Sequence, residues 1–236
     1  MARVDIYGGK DPRLLPAYTV PMAAHYLRMS PQTLRTWVEG YSYLKSDGSR
    51  TKQPRVIEAA GKLGGRPYLS FQNLIEAHVL ASIRRGHEIS LPKVRKSLLF
   101  IADKFGTEHP LAQERFATYG AHLFVEKFGT LINVSKDGQS SILHALEQGL
   151  DRIVYVEGSA SRLFPVVRSA LERVDEQPKI VVIDPRLSFG RPVIDGSGVP
   201  VSEIAERFQA GDSLEHLAED FGLSFEKVQE ALRAAA

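Results

Sequence analysis

At 236 residues and 43% apolar content the chain can bury a real core and exceeds the size of one small module, so two domains are expected. The absence of cysteine excludes disulfides, thiolate nucleophiles and cysteine zinc sites and fits a reducing compartment; with no run of about 18 apolar residues and no signal-peptide core in MARVDIYGGKDPRLLP, a cytoplasmic protein without membrane contact is expected. The net charge of +2 hides a gradient: residues 1–105 hold 17 Lys or Arg against 8 Asp or Glu, residues 106–174 hold 7 against 8, and residues 175–236 hold 6 against 12, so one end suits a polyanion and the other does not.

Thr19 is placed to cap a helix whose inward face is Val20, Ala23, Ala24 and Leu27, and Ser30-Pro31 opens a second one, with a capping residue followed by proline at the first helical position. In that second helix Leu34, Trp37 and Val38 fall on one face, which turns Gln32, Thr33, Arg35 and Thr36 elsewhere. From Tyr41 to Leu69 turn formers carry Lys45, Arg50, Lys52, Arg55, Lys62 and Arg66 against Asp47 and Glu58, which predicts a basic loop or hairpin.

Ser70 predicts the start of a helix running to about Arg85 and stopped by Gly86. Ser90 starts another, with Leu91, Val94, Leu98, Ile101 and Phe105 as a narrow apolar stripe, either a dimer seam or intramolecular core. The segment 106–174 reads as mixed: a helix near 111–118, strand-like runs at Ala121 to Glu126 and Leu131 to Val134, an Asp137-Gly138 turn, a helix near Ser141 to Gln148, and a strand from Arg152 to Val156.

Val174 to Lys179 reads as a linker or domain edge, followed by a strand from Lys179 to Ile183, a turn-rich hairpin at Gly190, Gly196 and Gly198, and helices near 200–210, 213–221 and 224–235. Ser213 and Ser224 are the expected caps of the last two, Gly211 and Gly222 the expected stops. The fold class is thus mainly α with small β elements (α+β), divided into 1–105, a middle region 106–174, and 175–236.

A helix that enters the major groove needs short polar or basic side chains, an apolar underside and nearby cations for phosphates. Residues 19–66 supply all three. The run from Tyr18 to Trp37 resembles the winged helix-turn-helix of MerR-like regulators, Arg66-Pro-Tyr-Leu-Ser-Phe71 resembles the end of their wing, and Arg84 to Val94 continues the likeness over roughly residues 18–98. That resemblance implies that Thr33, Arg35 and Thr36 approach the groove or its backbone and that Arg66 and Tyr68 sit near phosphate at the wing base. The stretch from Tyr41 to Arg66 is longer than the family's usual wing. The full set of candidate DNA contacts is Arg28, Gln32, Thr33, Arg35, Thr36, Lys45, Arg50, Lys52, Arg55 and Arg66.

Ile183 to Ser202, followed by Ile204, Phe208, Gly211, Leu217, Asp220, Phe221, Leu223, Val228 and Leu232, resembles a small bacterial domain described as VapB-like antitoxin. Taken together, the two parts resemble a two-domain VapB-like antitoxin. Membership would imply a type II toxin-antitoxin module, a PIN-domain ribonuclease toxin as partner, and autorepression by a homodimer on double-stranded operator DNA.

In the last helix Glu226 and Glu230 stand beside only Lys227, with Glu215, Glu219 and Asp220 nearby, so this second helix-turn-helix is expected to hold protein and not DNA. Asp184, Asp195 and Asp220 lack ligand spacing and read as turn and cap residues, so no metal and no cofactor are expected. The scattered histidines form no His-Glu-x-x-His, and no nucleophile elbow or phosphate-binding loop occurs, so no catalytic residue is expected. Two alternatives stand beside the antitoxin reading: a free-standing MerR-like transcription regulator with an effector site in 106–174, and a nucleic-acid-processing enzyme.

Overall fold

The computed structural model describes residues 7–44, 46–84, 91–132, 135–168 and 174–236. The chain divides into two compact units, residues 1–151 with 155–160, and residues 152–154 with 161–236.

The first unit opens with β1 (Tyr18–Thr19), α1 (Val20–Tyr26) and α2 (Pro31–Glu39). The Thr19 hydroxyl accepts from the Met22 amide at 3.3 Å, as the sequence predicts. Ser30 occupies the cap position of α2, but its side chain makes no capping bond. Val20, Ala23, Ala24, Leu27, Leu34, Trp37 and Val38 are all buried, so the two short helices are held by tertiary packing, as their length requires.

The basic stretch that follows is two hairpins and not one wing. β2 (Tyr41–Leu44) pairs with β3 (Arg50–Gln53), and β4 (Gly61–Leu63) pairs with β5 (Arg66–Leu69), both antiparallel; β5 also pairs with β1 to give the order β1-β5-β4.

The helix α3 (Phe71–Arg84) is buried from Phe71 through Ile83 and forms the axis of the unit. Its buried polar groups are matched one by one: Asn73 Nδ2 donates to the Glu58 carbonyl at 2.9 Å, Gln72 Nε2 to Ser159 Oγ at 3.2 Å, and His78 Nε2 lies 2.9 Å from the Gly149 carbonyl. Ser70 Oγ accepts from the Asn73 amide at 3.2 Å, the predicted cap. The predicted stop at Gly86 and start at Ser90 lie outside the described residues, as do Arg85 to Ile89.

Against α3 packs α6 (Lys136–Leu150), against α6 packs α5 (Ala121–Ile132), and against α5 packs α4 (Leu91–Phe105). In α4 Val94, Leu98, Ile101 and Phe105 are buried within the unit, which settles the stripe as intramolecular core. The strand expected at Ala121 to Glu126 is helix: Phe124 and Phe128, four residues apart, stack at 5.7 Å, and the Phe116 ring lies 6.3 Å from that of Phe124, so helical spacing outweighed the local β-branched and aromatic content. The second expected strand begins at Leu131 inside the same helix, and its Asn133-Val134 end lies outside the described residues. Asp137-Gly138 is no turn but the first turn of α6, whose cap Ser135 accepts from the Gly138 amide at 3.3 Å.

β6 (Ile153–Val156) and β7 (Ser159–Leu163) form a two-stranded sheet. The second unit continues with β8 (Val181–Val182) antiparallel to β9 (Val193–Ile194), then α7 (Val201–Gln209), α8 (Leu214–Phe221) and α9 (Phe225–Ala235). The predicted strand Lys179 to Ile183 is shorter than expected, while the three helices match their predicted spans closely. Ser213 accepts from the His216 amide at 3.1 Å, Ser224 from the Lys227 amide at 3.3 Å, and Gly222 ends α8 in the left-handed conformation. The core behind them is Val181, Ile194, Val201, Ile204, Leu217 and Val228.

Instead of a simple polar linker, Val174 to Pro178 wraps a buried arginine. Arg152 is 2% exposed; its Nε donates to the Phe164 carbonyl at 2.7 Å, and its terminal nitrogens reach the carbonyls of Val174, Gln177, Pro165 and Pro178 at 3.1–3.3 Å. Five carbonyls from two chain segments are gathered on one guanidinium, whose fixed fork of donors suits that task.

Candidate nucleic-acid interface

α2 is positioned from both of its faces. Its apolar side, Leu34, Trp37 and Val38, is 0–4% exposed, and the Arg84 guanidinium lies 5.8 Å from the Trp37 ring centre. Past its C-terminal end, the Val56 and Ile57 amides both donate to the Trp37 carbonyl, at 2.7 and 3.0 Å, so the loop after the first hairpin is clamped to the helix. Gly40 makes the turn into β2 with φ 75°, and a side chain there would collide with the Gln53 carbonyl. The β2–β3 hairpin therefore leaves the end of α2 along a fixed path.

On the open side of α2, Gln32 and Arg35 are exposed, while Thr33 and Thr36 are half-buried. Arg35 Nη1 lies 3.5 Å from Gln32 Oε1, a weak tie that leaves its donors usable. The Thr36 hydroxyl donates to the Gln32 carbonyl at 2.9 Å, so it offers lone pairs and a methyl group more than a proton. Because Ser30 does not cap, the first-turn amides of α2 keep their capacity for a phosphate oxygen. Arg28 is exposed in the turn between the helices, at φ 52°.

In the β2–β3 register Tyr41, Tyr43, Thr51 and Gln53 share one face, and Ser42, Leu44, Arg50 and Lys52 share the other. All four residues of β2 are exposed, and the Tyr41 and Tyr43 rings stack at 6.0 Å. Arg50 and Lys52 thus form a cationic edge beside the exposed Leu44. Lys45 lies outside the described residues. Arg55 differs from the others: it pairs with Glu58, so part of its charge is already neutralised. Arg66 is exposed at the start of β5, opposite Leu63, and Tyr68 is half-buried beside Thr19 and Gly61.

The exposed tyrosines and Leu44 were missed by sequence reasoning. Their signal was available: alternating aromatics at 41 and 43, then Asp47-Gly48 as a hairpin turn, in which the Ser49 hydroxyl first, and then the Ser49 amide donating to Asp47 Oδ1 at 2.8 Å, hold that carboxyl below its usual range.

A cleft of about 350 Å³ lies between the β3 end, α3 and α4, with Glu39, Lys52, Arg55, Glu76 and Arg95 on its walls. Of the 106–174 segment, Glu108 and Pro110 contribute to it. Nearby, His109 Nδ1 lies 3.2 Å from Glu76 Oε2. Burial works against a charged His109, yet Glu76, with Glu108 and Glu58, outweighs it and raises the imidazole above its ordinary 6.5.

The second helix-turn-helix carries the opposite surface. Glu215, Glu219, Asp220 and Glu226 are exposed. Glu230, expected on that face, is instead fully buried, where Arg168 Nη2 donates to its Oε1 at 2.7 Å and Arg233 pairs with it too. Arg207 is held by Asp212 at 2.6 Å and Asp220 at 2.8 Å, and its hydrogen bond keeps the Asp220 carboxyl below its usual range. Asp184 closes a turn by accepting from the Arg186 amide at 2.8 Å, and Asp195 lies 3.9 Å from Arg162.

Residues 16–98 match a family model described as "Putative DNA-binding HTH domain", and residues 181–234 match one described as "Protein of unknown function (DUF433)". Over 236 aligned residues the chain is 28% identical to "Putative antitoxin VapB45" of Mycobacterium tuberculosis (strain ATCC 25618 / H37Rv), covering 94% of this chain and 95% of that protein. "Uncharacterized protein Rv2308" of the same organism is 23% identical over 216 residues, covering 85% and 82%. The crystal structure of Rv2018 from Mycobacterium tuberculosis matches with a TM-score of 0.68 at 25% identity, covering 93% of this chain and 98% of that one. The chain is thus similar to VapB45 over nearly its full length, with a match to a putative DNA-binding helix-turn-helix domain in front and to DUF433 behind, as the resemblance read from the sequence implied.

Proposed function

We propose that this protein is the antitoxin of a type II toxin-antitoxin pair and the repressor of its own operon, acting in the cytoplasm as a homodimer. The first unit binds double-stranded operator DNA through Gln32, Thr33, Arg35 and Thr36 of α2. Arg28, Lys45, Arg50, Lys52, Arg55 and Arg66 supply phosphate contacts, with Arg55 the weakest because Glu58 shares its charge. The second unit holds the toxin, a PIN-domain ribonuclease.

The observation that carries this reading is the partition of charge between two helix-turn-helix surfaces on one chain. The residues that would enter the groove in α2 are polar or cationic, and those on α8 and α9 are mostly carboxylates. Phosphate affinity grows with the number of cations brought to it, and a carboxylate face is repelled. The free-standing regulator is less well supported, because the cleft beside His109 draws its walls mainly from residues 39–102 and not from 106–174. With the α4 stripe spent on the core, the dimer contact uses another surface.

The test is Arg35→Ala in the full-length protein, bound to duplex DNA from upstream of its own reading frame at fixed salt. Operator affinity is expected to fall about 10-fold to 100-fold, in line with the loss of about 1–3 kcal/mol for a base-reading arginine, while toxin binding is retained. Unchanged affinity would remove Arg35 from the reading surface.

A further inference from the structure

The segment between β8 and β9 holds its backbone in an unusual state. Ser188 and Phe189, neither of them glycine, are consecutive left-handed residues with φ 46° and φ 54°. A side chain disfavours that conformation, and it persists only where the surroundings impose it. They do so here: buried Asp184 accepts from the Arg186 amide through Oδ1 at 2.8 Å and from the Leu187 amide through its carbonyl at 2.9 Å. The Gly190 amide then donates to the Leu187 carbonyl at 2.8 Å, and the Arg191 amide to the Ser188 carbonyl at 3.1 Å. Behind the loop, Phe164, Val182 and Val193 form a small buried cluster.

The result of this bracing is exposure. Phe189 is 71% exposed, the highest value among the large apolar side chains of the described residues, and Leu187 is 43% exposed. A strained loop that turns a phenylalanine toward water gains nothing for the isolated fold. On either side stand Arg186 and Arg191, both exposed and without an ion pair among the described residues. They are two of only six cations in residues 175–236, which carry twelve carboxylates.

We infer that the Arg186–Arg191 loop is a preformed anchor for a protein partner, with Phe189 and Leu187 entering an apolar pocket whose rim carries carboxylates facing Arg186 and Arg191. Rigid aromatic and arginine side chains are the residue types that dominate protein interfaces, and bracing the loop in advance removes the ordering cost of binding. DNA is disfavoured by the carboxylates that make up most of the charge of residues 175–236. This inference rests on the antitoxin reading, in that the partner is the toxin.

The experiment measures binding of the full-length protein to the product of the reading frame adjacent to its own, by copurification and calorimetry, with Phe189→Gly and the double variant Arg186→Glu/Arg191→Glu. Glycine accepts the left-handed backbone, so Phe189→Gly is expected to raise the unfolding midpoint of the second unit while weakening partner binding at least tenfold. A residue with a purely structural role would lose stability on that change. The charge-reversed double variant is expected to weaken binding at least tenfold with stability and operator binding unchanged. If the wild-type protein binds the neighbouring product and Phe189→Gly binds it within twofold, the loop assignment is overturned and the antitoxin reading stands. If the wild-type protein does not bind that product, both fall. A shift of the monomer-dimer equilibrium or a loss of operator affinity, with partner binding intact, also overturns the assignment.

Discussion

The helix-turn-helix near the N-terminus and the one near the C-terminus are built by the same local rules. Each has a hydroxyl cap, a short amphipathic helix, a tight turn, and a second helix that opens at a serine. Their surfaces nevertheless diverge. α2 shows Gln32 and Arg35 and continues into a cationic hairpin, whereas α8 and α9 show Glu215, Glu219, Asp220 and Glu226. The comparison teaches that the local pattern determines a scaffold and that the side chains left over after core packing determine the ligand. A chain with a net charge of only +2 thus becomes one with two differently charged ends.

The sharpest way to separate the two regions is to disable one of them. Arg152→Met removes the guanidinium donors that the carbonyls of Phe164, Pro165, Val174, Gln177 and Pro178 now share, although Val174 still accepts from the Gln177 amide at 3.3 Å. Each buried unsatisfied carbonyl costs on the order of 1–3 kcal/mol, so with partial rescue by water a loss of about 3–5 kcal/mol is expected, comparable to the whole stability of a small unit. In urea the second unit should unfold early while operator affinity stays within about threefold. A single transition shifted as a whole would show that the two regions do not melt independently.

A milder change tests the proposal that the carboxylates of the C-terminal helices repel DNA. Converting Glu215, Glu219 and Glu226 to lysine is expected to raise affinity for random-sequence duplex by about tenfold at low salt and to steepen its salt dependence. Stability should change little, since all three side chains are exposed. An unchanged affinity would overturn the proposal that these carboxylates govern the pair's interaction with DNA.

The smallest expected effect concerns the first unit only. Because His109 has a raised pKa in the folded protein, its contribution to stability is fully present below its unfolded value of 6.5 and is lost as the pH rises through the higher folded value. The urea midpoint of the first unit should therefore drift down as the pH is raised through and above 6.5, and His109→Gln should flatten that drift. The second unit should show no such drift from this group.

Much of the organisation was legible in the sequence. The three C-terminal helices and their caps followed from Ser213, Gly222 and Ser224 because capping is a local interaction between a side chain and an amide three residues on. The buried face of α2 followed from the spacing of Leu34, Trp37 and Val38. The cationic character of residues 1–105 needed only a count.

Other features depended on partners far along the chain, which no local pattern contains. Ala121 to Glu126 became helix because Phe116, Phe124 and Phe128 had a common core to fill. Glu230 left the acidic face because Arg168, 62 residues away, was there to pair with it. The α4 stripe closed on α5 instead of remaining open for a second copy. Leu187 and Phe189 were turned outward only because Asp184 and the β8–β9 pairing impose a left-handed backbone on the loop. Local chemistry and charge therefore decided which elements form and which end is basic. Tertiary contacts, whose energies belong to pairs of distant residues, decided which side chains remained at the surface to bind anything.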